Sequence, residues 1–243
     1  MGSIKRQLEN ERTSLKRLVR GIQEDAAGGL ASVRKAAKEY EMYGPFPIET
    51  AESGKFEFGV RPTDDPGLLV NAKLQLDDNT LLCSISIHVR YAGHLPGKGK
   101  DPLLMREDDE RSRRLVYGHI GRVMTAAPDG TPVAFISLIR KNFPSHTSST
   151  RGMAMRLLGQ LMCALSRMGV VHGESHVIAV RGDLSRTSTT GIAHDDAKLR
   201  EVYTKAGFSE IAGTRGMTTT AARLCRRGRS GKVSGNGGPC SLQ

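Results

Sequence analysis

The sequence predicts an α+β fold: a single body over residues 45–210 with two β-hairpins and two or three helices. A helical basic arm (1–44) precedes it and a disordered basic tail (211–243) follows it. Three observations predict this. Apolar residues alternate with polar ones in runs flanking short turn signals, the mark of half-buried strands. One segment, Gly152–Met168, repeats apolar residues at helical spacing. The charge gathers at the two ends of the chain.

In chain order, residues 3–22 fit an amphipathic helix, with Ile4, Leu8, Leu15, Leu18, Val19 and Ile22 at helical spacing and basic residues between them. Gly28–Gly29 interrupts it, and a second helical stretch is expected from Leu30 to Tyr40. Pro45 and Pro47 then forbid helix, and the body starts there. Lys55–Val60 alternates weakly. Leu68–Leu76 and Leu81–Tyr91 flank Asp77-Asp78-Asn79-Thr80, a hairpin signal. In the second run Cys83, Ile85, Ile87 and Val89 share one side, which predicts a half-buried strand. Residues 94–102 read as a basic loop. A second hairpin is expected from Leu115–Ala126 and Thr131–Arg140 around Pro128-Asp129-Gly130. Lys141–Thr150 is a Ser/Thr-rich loop. Gly152–Met168 is a helix ended by Gly169, and Ser175–Val180 a buried strand. Asp183–His194 is a polar loop. A last helix, capped by Asp195 or Asp196, runs to Ala206 and ends at Gly207. Beyond 213 the Gly, Ser, Thr and Arg content predicts disorder.

With 243 residues and a net charge of +11, the chain can build a core but not a collagen, a disulfide scaffold or a fully disordered protein. No apolar run approaches ~18 residues, so no membrane-spanning helix is expected. Met1–Gly2 leads into a charged segment with no apolar stretch, so no secretory leader is expected. Cys83, Cys163, Cys225 and Cys240 lie far apart and read as reduced thiols of a cytoplasmic or nuclear protein.

Residues 1–22 place Lys5, Arg6, Arg12, Lys16, Arg17 and Arg20 against Glu9 and Glu11, a net of +4. Residues 211–243 carry Arg215, Arg223, Arg226, Arg227, Arg229 and Lys232 with no acid, a net of +6. Two basic ends on a nearly neutral body point to an anionic partner. The candidates are an anionic membrane surface, nucleic acid or a nucleoprotein, with a second copy of the chain as a further partner. Viral matrix and movement proteins share this physical profile. The chain ends Cys240-Ser241-Leu242-Gln243, which fits a prenylation pattern, with glutamine favouring farnesyl. Cys225 would supply a second, palmitoyl anchor beside the basic patch. The first expectation is therefore a non-enzymatic, peripheral binding protein that needs no cofactor. His172-Gly-Glu-Ser-His176 lacks the order of a metalloprotease helix, and Gly97-Lys-Gly-Lys100 lacks the spacing of a phosphate loop.

Residues 151–208 carry a different signal. Arg151-Gly-Met-Ala-Met-Arg-Leu-Leu158 and Leu199-Arg-Glu-Val-Tyr-Thr-Lys-Ala-Gly-Phe208 flank a predicted strand. Together they resemble the GNAT N-acetyltransferases. The resemblance implies that Arg151, Gly152 and Ala154 open a helix whose backbone N–H groups hold the pyrophosphate of acetyl-CoA. It further implies that Tyr203 protonates the departing thiolate. CoA-dependent N-acyl transfer is the alternative expectation.

Overall fold

The computed structural model describes residues 2–27, 42–63, 67–92, 110–141, 152–180, 196–214 and 216–230. Among these residues eight strands form one mixed sheet: β1 (Tyr43–Ile48), β2 (Lys55–Pro62), β3 (Gly67–Gln75), β4 (Leu81–Tyr91), β5 (Pro132–Lys141), β6 (His176–Val180), β7 (Ser209–Glu210) and β8 (Gly216–Thr220). The described helices are α1 (Gly2–Ala27), α2 (Glu110–Ala126), α3 (Met153–Arg167), α4 (Asp196–Lys205) and α5 (Ala221–Ser230). The strand order is β1-β2-β3-β4-β5-β6-β8-β7. Strands β1 to β5 pair antiparallel with their neighbours, β5 pairs parallel with β6, and β8 inserts between β6 and β7. The chain is thus an α+β domain, with a larger sheet than two hairpins supply.

The alternation in the sequence sets the two faces. Phe56, Phe58 and Val60 of β2, Val70, Ala72 and Leu74 of β3, and Cys83, Ile85, Ile87 and Val89 of β4 are all buried on one face. The turn at Asp77–Thr80 forms as its residues require. Asn79 takes φ 65°, and the Asp78 carboxylate accepts the Thr80 N–H at 2.9 Å. Helices α1 and α3 cover this face; α1 is the expected N-terminal helix, and its Leu15, Val19 and Ile22 are sunk in the core. Each such side chain contributes roughly 1.5–3 kcal/mol by leaving water. Helix α5 lies on α3, and Gly159 and Gly228 let the two backbones touch: a Cβ on Gly159 would stand 2.5 Å from the Leu224 carbonyl oxygen. The opposite face is covered over β5 and β6 by α2, through Val116, Ile120, Val123 and Met124 against Val133, Phe135, Ile178 and Ile211.

Four expectations change. Leu115–Ala126 is helix, not the first strand of a second hairpin. Its buried residues, Val116, Ile120, Val123 and Met124, follow the helical period and cover a sheet face. The Asp129-Gly130 turn is real (Gly130 has φ 81°), but it joins α2 to β5. The segment expected to be an unstructured tail from 211 supplies β8 and α5. The β-branched run Thr218–Thr220 pairs with His176–Ile178 inside the sheet, and Leu224 reaches the core. Cys163 and Cys225 are not reduced thiols but a disulfide between α3 and α5, and Cys83 is the free cysteine among the described residues. The second helical stretch (30–40), the basic loop (94–102) and the polar loop (183–194) lie outside the described residues.

Candidate functional site

Among the described residues the parallel pair β5/β6 is short. Ala134, Phe135 and Ile136 pair with Val177, Ile178 and Ala179. After Ile136, β5 continues to Lys141 against β4 alone among the described residues. A bulge falls at the same point: Ile87 faces Ile136 while Ser86 faces Leu138, so Ser137 is the extra residue. Its hydroxyl donates to the Ser86 carbonyl at 3.1 Å. The bulge falls where the described pairing of β5 with β6 ends.

Helix α3 starts beside this point, since it carries the chain from β5 to β6. Gly152 caps it at φ 72°, a conformation that favours glycine. The Gly152 carbonyl accepts the N–H groups of Met155 and Arg156, both at 3.1 Å. The N–H groups of Met153 and Ala154 have no acceptor within the helix, which gives the helix start its positive end. Ala154 points its methyl into the core. Arg156 stands where the resemblance expects a small residue. Its side chain is drawn to Glu52 of the β1–β2 turn, with Nε 2.8 Å and Nη2 2.7 Å from Oε1. Lys141, at the end of β5, completes the cationic surroundings. Burial and then the Arg156 charge hold its amine below the usual lysine range, although the residue keeps access to solvent. Neither Glu52 nor Lys141 belongs to a motif in the sequence; they meet Arg156 across 104 and 15 residues of chain, and no local spacing signals that.

Tyr203 lies on α4, the connection that leaves β6. It is fully buried and packs edge-on against Phe208, with ring centroids 5.0 Å apart. Gly207 ends the helix at φ 95°. Gly152 and Tyr203 therefore sit on the two crossovers flanking β6, and Ala154 and Tyr203 share one buried cluster. Arg151 lies outside the described residues.

The basic residues fall elsewhere. Lys5, Arg6, Lys16, Arg17 and Arg20 are exposed along α1, and Arg223, Arg226 and Arg227 along α5. The two helices meet at the turn 172–175. Gln23 and His172 share a hydrogen bond at 3.2 Å, and Ala221 and Ala222 donate to the carbonyls of Ser175 and Gly173. Arg229 belongs to α5, while Lys232 and the proposed lipid site Cys240 lie outside the described residues. Cys225 cannot take a palmitoyl group while its sulfur is bonded to Cys163. No group of three or more metal-binding side chains occurs among the described residues, and no described helix is long and apolar enough to cross a membrane. Compared with protein families, with curated proteins and with solved structures, the chain finds no match in any of the three.

Proposed function

We propose that the chain transfers an acyl group from CoA to an amine. One observation carries this: a parallel crossover, β5–α3–β6, in which the described strands pair over three residues and β5 runs on beside a glycine-capped helix start. Beyond Ser137, where the described residues pair β5 with β4 alone, the strand suits an extended chain bearing amides, because it can pair with one as a further strand would. CoA presents such a chain between its thioester and its diphosphate. The diphosphate suits the start of α3, where the N–H groups of Met153 and Ala154 and the positive helix end favour an anion. Lys141 adds a cation there, and Arg156 a second, which Glu52 already pairs. The amine attacks the thioester carbonyl, a C–N bond forms, the C–S bond breaks, and the thiolate takes a proton from Tyr203. The amine's own proton leaves to solvent, and solvent returns one to the Tyr203 oxygen.

Calorimetry with acetyl-CoA tests the reading. Micromolar binding is expected, weakened by Arg151→Gln. Tyr203→Phe is expected to keep binding and lose turnover. An absence of binding heat by wild-type protein at millimolar acetyl-CoA would overturn it.

A second reading rests on the exposed basic residues of α1 and α5, which meet at the 172–175 turn. They form a surface for an anionic membrane or for nucleic acid. Binding to RNA or DNA should weaken steeply with salt, and flotation with vesicles should need anionic lipid. Equal binding to neutral vesicles, and salt-independent binding to nucleic acid, would remove this reading.

A further inference from the structure

The face of the sheet turned away from α1 and α3 is covered by α2 over β5 and β6. Over β2, β3 and β4 it carries mostly polar side chains, with Leu69 half-buried and Glu57 and Arg90 buried among them. Lys55 and Arg61 of β2, and Asn71 and Lys73 of β3, are exposed there, and Ser84, Ser86 and His88 of β4 are half-buried. Strand register aligns one row across this face: Glu57 opposite Lys73, Lys73 opposite Ser84, Ser84 opposite Arg140. The row runs onto the part of β5 beyond its described pairing with β6, and Arg140 stands four residues beyond the last paired residue, Ile136.

The charges in this row do not cancel. Glu57 is almost wholly buried and accepts both Lys55, at 2.7 Å, and Lys73, at 3.3 Å. Burial raises its pKa, but the two lysines more than offset this and hold it below the usual glutamate range. One carboxylate thus serves two ammonium groups, and Arg140 adds a third cation. Among the described residues the Arg140 Nε is shielded from water with no acceptor within hydrogen-bond reach. A shielded guanidinium nitrogen without an acceptor is costly. An oxyanion would satisfy it, since guanidinium pairs with phosphate or carboxylate oxygens through two parallel bonds.

We propose that Arg140, with Ser84 and Lys73 beside it, binds an oxyanion carried by the acceptor amine. This rests on the acyl-transfer reading, because the row adjoins the stretch of β5 where the thioester would lie. The acceptor is then an amine bearing a phosphate or carboxylate group, approaching on the open face while CoA enters from the side of α3. Ser84 donates its hydroxyl to the same oxyanion, and Lys73 exchanges part of its contact with Glu57 for it.

The test compares an aminoalkyl phosphate with the matching amino alcohol, with acetyl-CoA affinity measured on every variant. Wild type is expected to favour the phosphate amine in kcat/KM by more than tenfold. Arg140→Gln should lose that preference at unchanged acetyl-CoA affinity, Lys73→Gln should reduce it, and Arg167→Gln, at the far end of α3, should keep it. Equal use of both amines by wild type, or an unchanged preference in Arg140→Gln, would overturn the proposal. If acetyl-CoA does not bind, the acyl-transfer reading fails separately. Inorganic phosphate against chloride at matched ionic strength then decides the anion site. A rise in melting temperature lost in Arg140→Gln supports it, and the same rise in both proteins overturns it. Should Arg140→Gln fail to fold, the exposed Lys73 carries the comparison.

Discussion

Gly159→Ala should destabilise the protein, while the same change at Gly121 should stabilise it. A methyl on Gly159 would stand 2.5 Å from the Leu224 carbonyl oxygen, 2.7 Å from the Gly228 nitrogen and 2.8 Å from its Cα, where ordinary contact begins at 3.4 Å. All three neighbours are backbone, so no side chain can swing aside. Helix α5 must move bodily by about 1 Å, yet Cys225 ties it to Cys163, one turn along α3. Overpacking of this kind costs about 1–3 kcal/mol. The helix propensity of alanine over glycine returns about 1 kcal/mol. A net loss of up to about 2 kcal/mol lowers the melting temperature by up to about 8 °C in a domain of this size. Gly121 lies within α2 with nothing within 4 Å of its added methyl. There the propensity gain acts alone and raises the midpoint by about 2–4 °C. Differential scanning calorimetry of both variants under oxidising conditions reads the two shifts. A Gly159→Ala midpoint equal to or above that of Gly121→Ala would refute the close α3–α5 contact.

Two further outcomes follow from other contacts. The Cys163–Cys225 bond closes a separation of 62 residues, for which the chain-entropy model gives about 4 kcal/mol. The double change Cys163→Ala, Cys225→Ala, or dithiothreitol on wild type, should therefore lower the melting temperature by roughly 10 °C, and a midpoint indifferent to reductant would contradict the bond. His119 titrates below the usual histidine range, chiefly through burial, then through Arg122 and His176. Between that lowered value and 6.5 the unfolded chain binds more protons than the folded one, so stability is full above 6.5 and falls as the pH drops through this window. Urea midpoints at pH 7.5 and 5.5 should differ less in His119→Gln than in wild type, and an equal difference would show that His119 carries none of the acid sensitivity.

What was legible in the sequence depended on whether the deciding contact was local. Helix α3 was readable because Met155, Leu158, Met162 and Leu165 repeat at the helical period; the last three are buried and Met155 packs half-buried beside them. Strand β4 was readable for the matching reason at period two. In α2 a correct turn signal at Asp129-Gly130 suggested strands on both sides, and Gly118 and Gly121 weakened the helical pattern. Strand β8 carries glycine and three threonines, a composition shared with disordered tails. Only its long-range pairing with β6 makes it a strand. The same holds for the site. Gly152, Ala154 and Tyr203 sit in local motifs, whereas Glu52 and Arg140 acquire a role only when β1, β4, β5 and α3 are assembled.

The net charge also means something different once the fold is known. Two acidic residues of the apparently neutral middle are consumed in pairs, Glu52 by Arg156 and Glu57 by Lys55 and Lys73. Each carboxylate offsets one cation, so the pairing leaves the net charge of the body unchanged and one of the two lysines beside Glu57 unmatched among the described residues. The exposed cations of α1 and α5 lie on the side of the sheet that α3 covers, and the Arg140 row lies on the other. An anionic macromolecule on the helices and an anionic acceptor on the open face would not compete for space. Salt separates them as well. At about 0.15 M the screening length is about 8 Å, which weakens attraction to fully exposed helix cations. A guanidinium whose Nε is shielded from water is screened far less. Raising the salt should therefore release a nucleic acid or vesicle from α1 and α5 before it relaxes the preference for an anionic amine at Arg140.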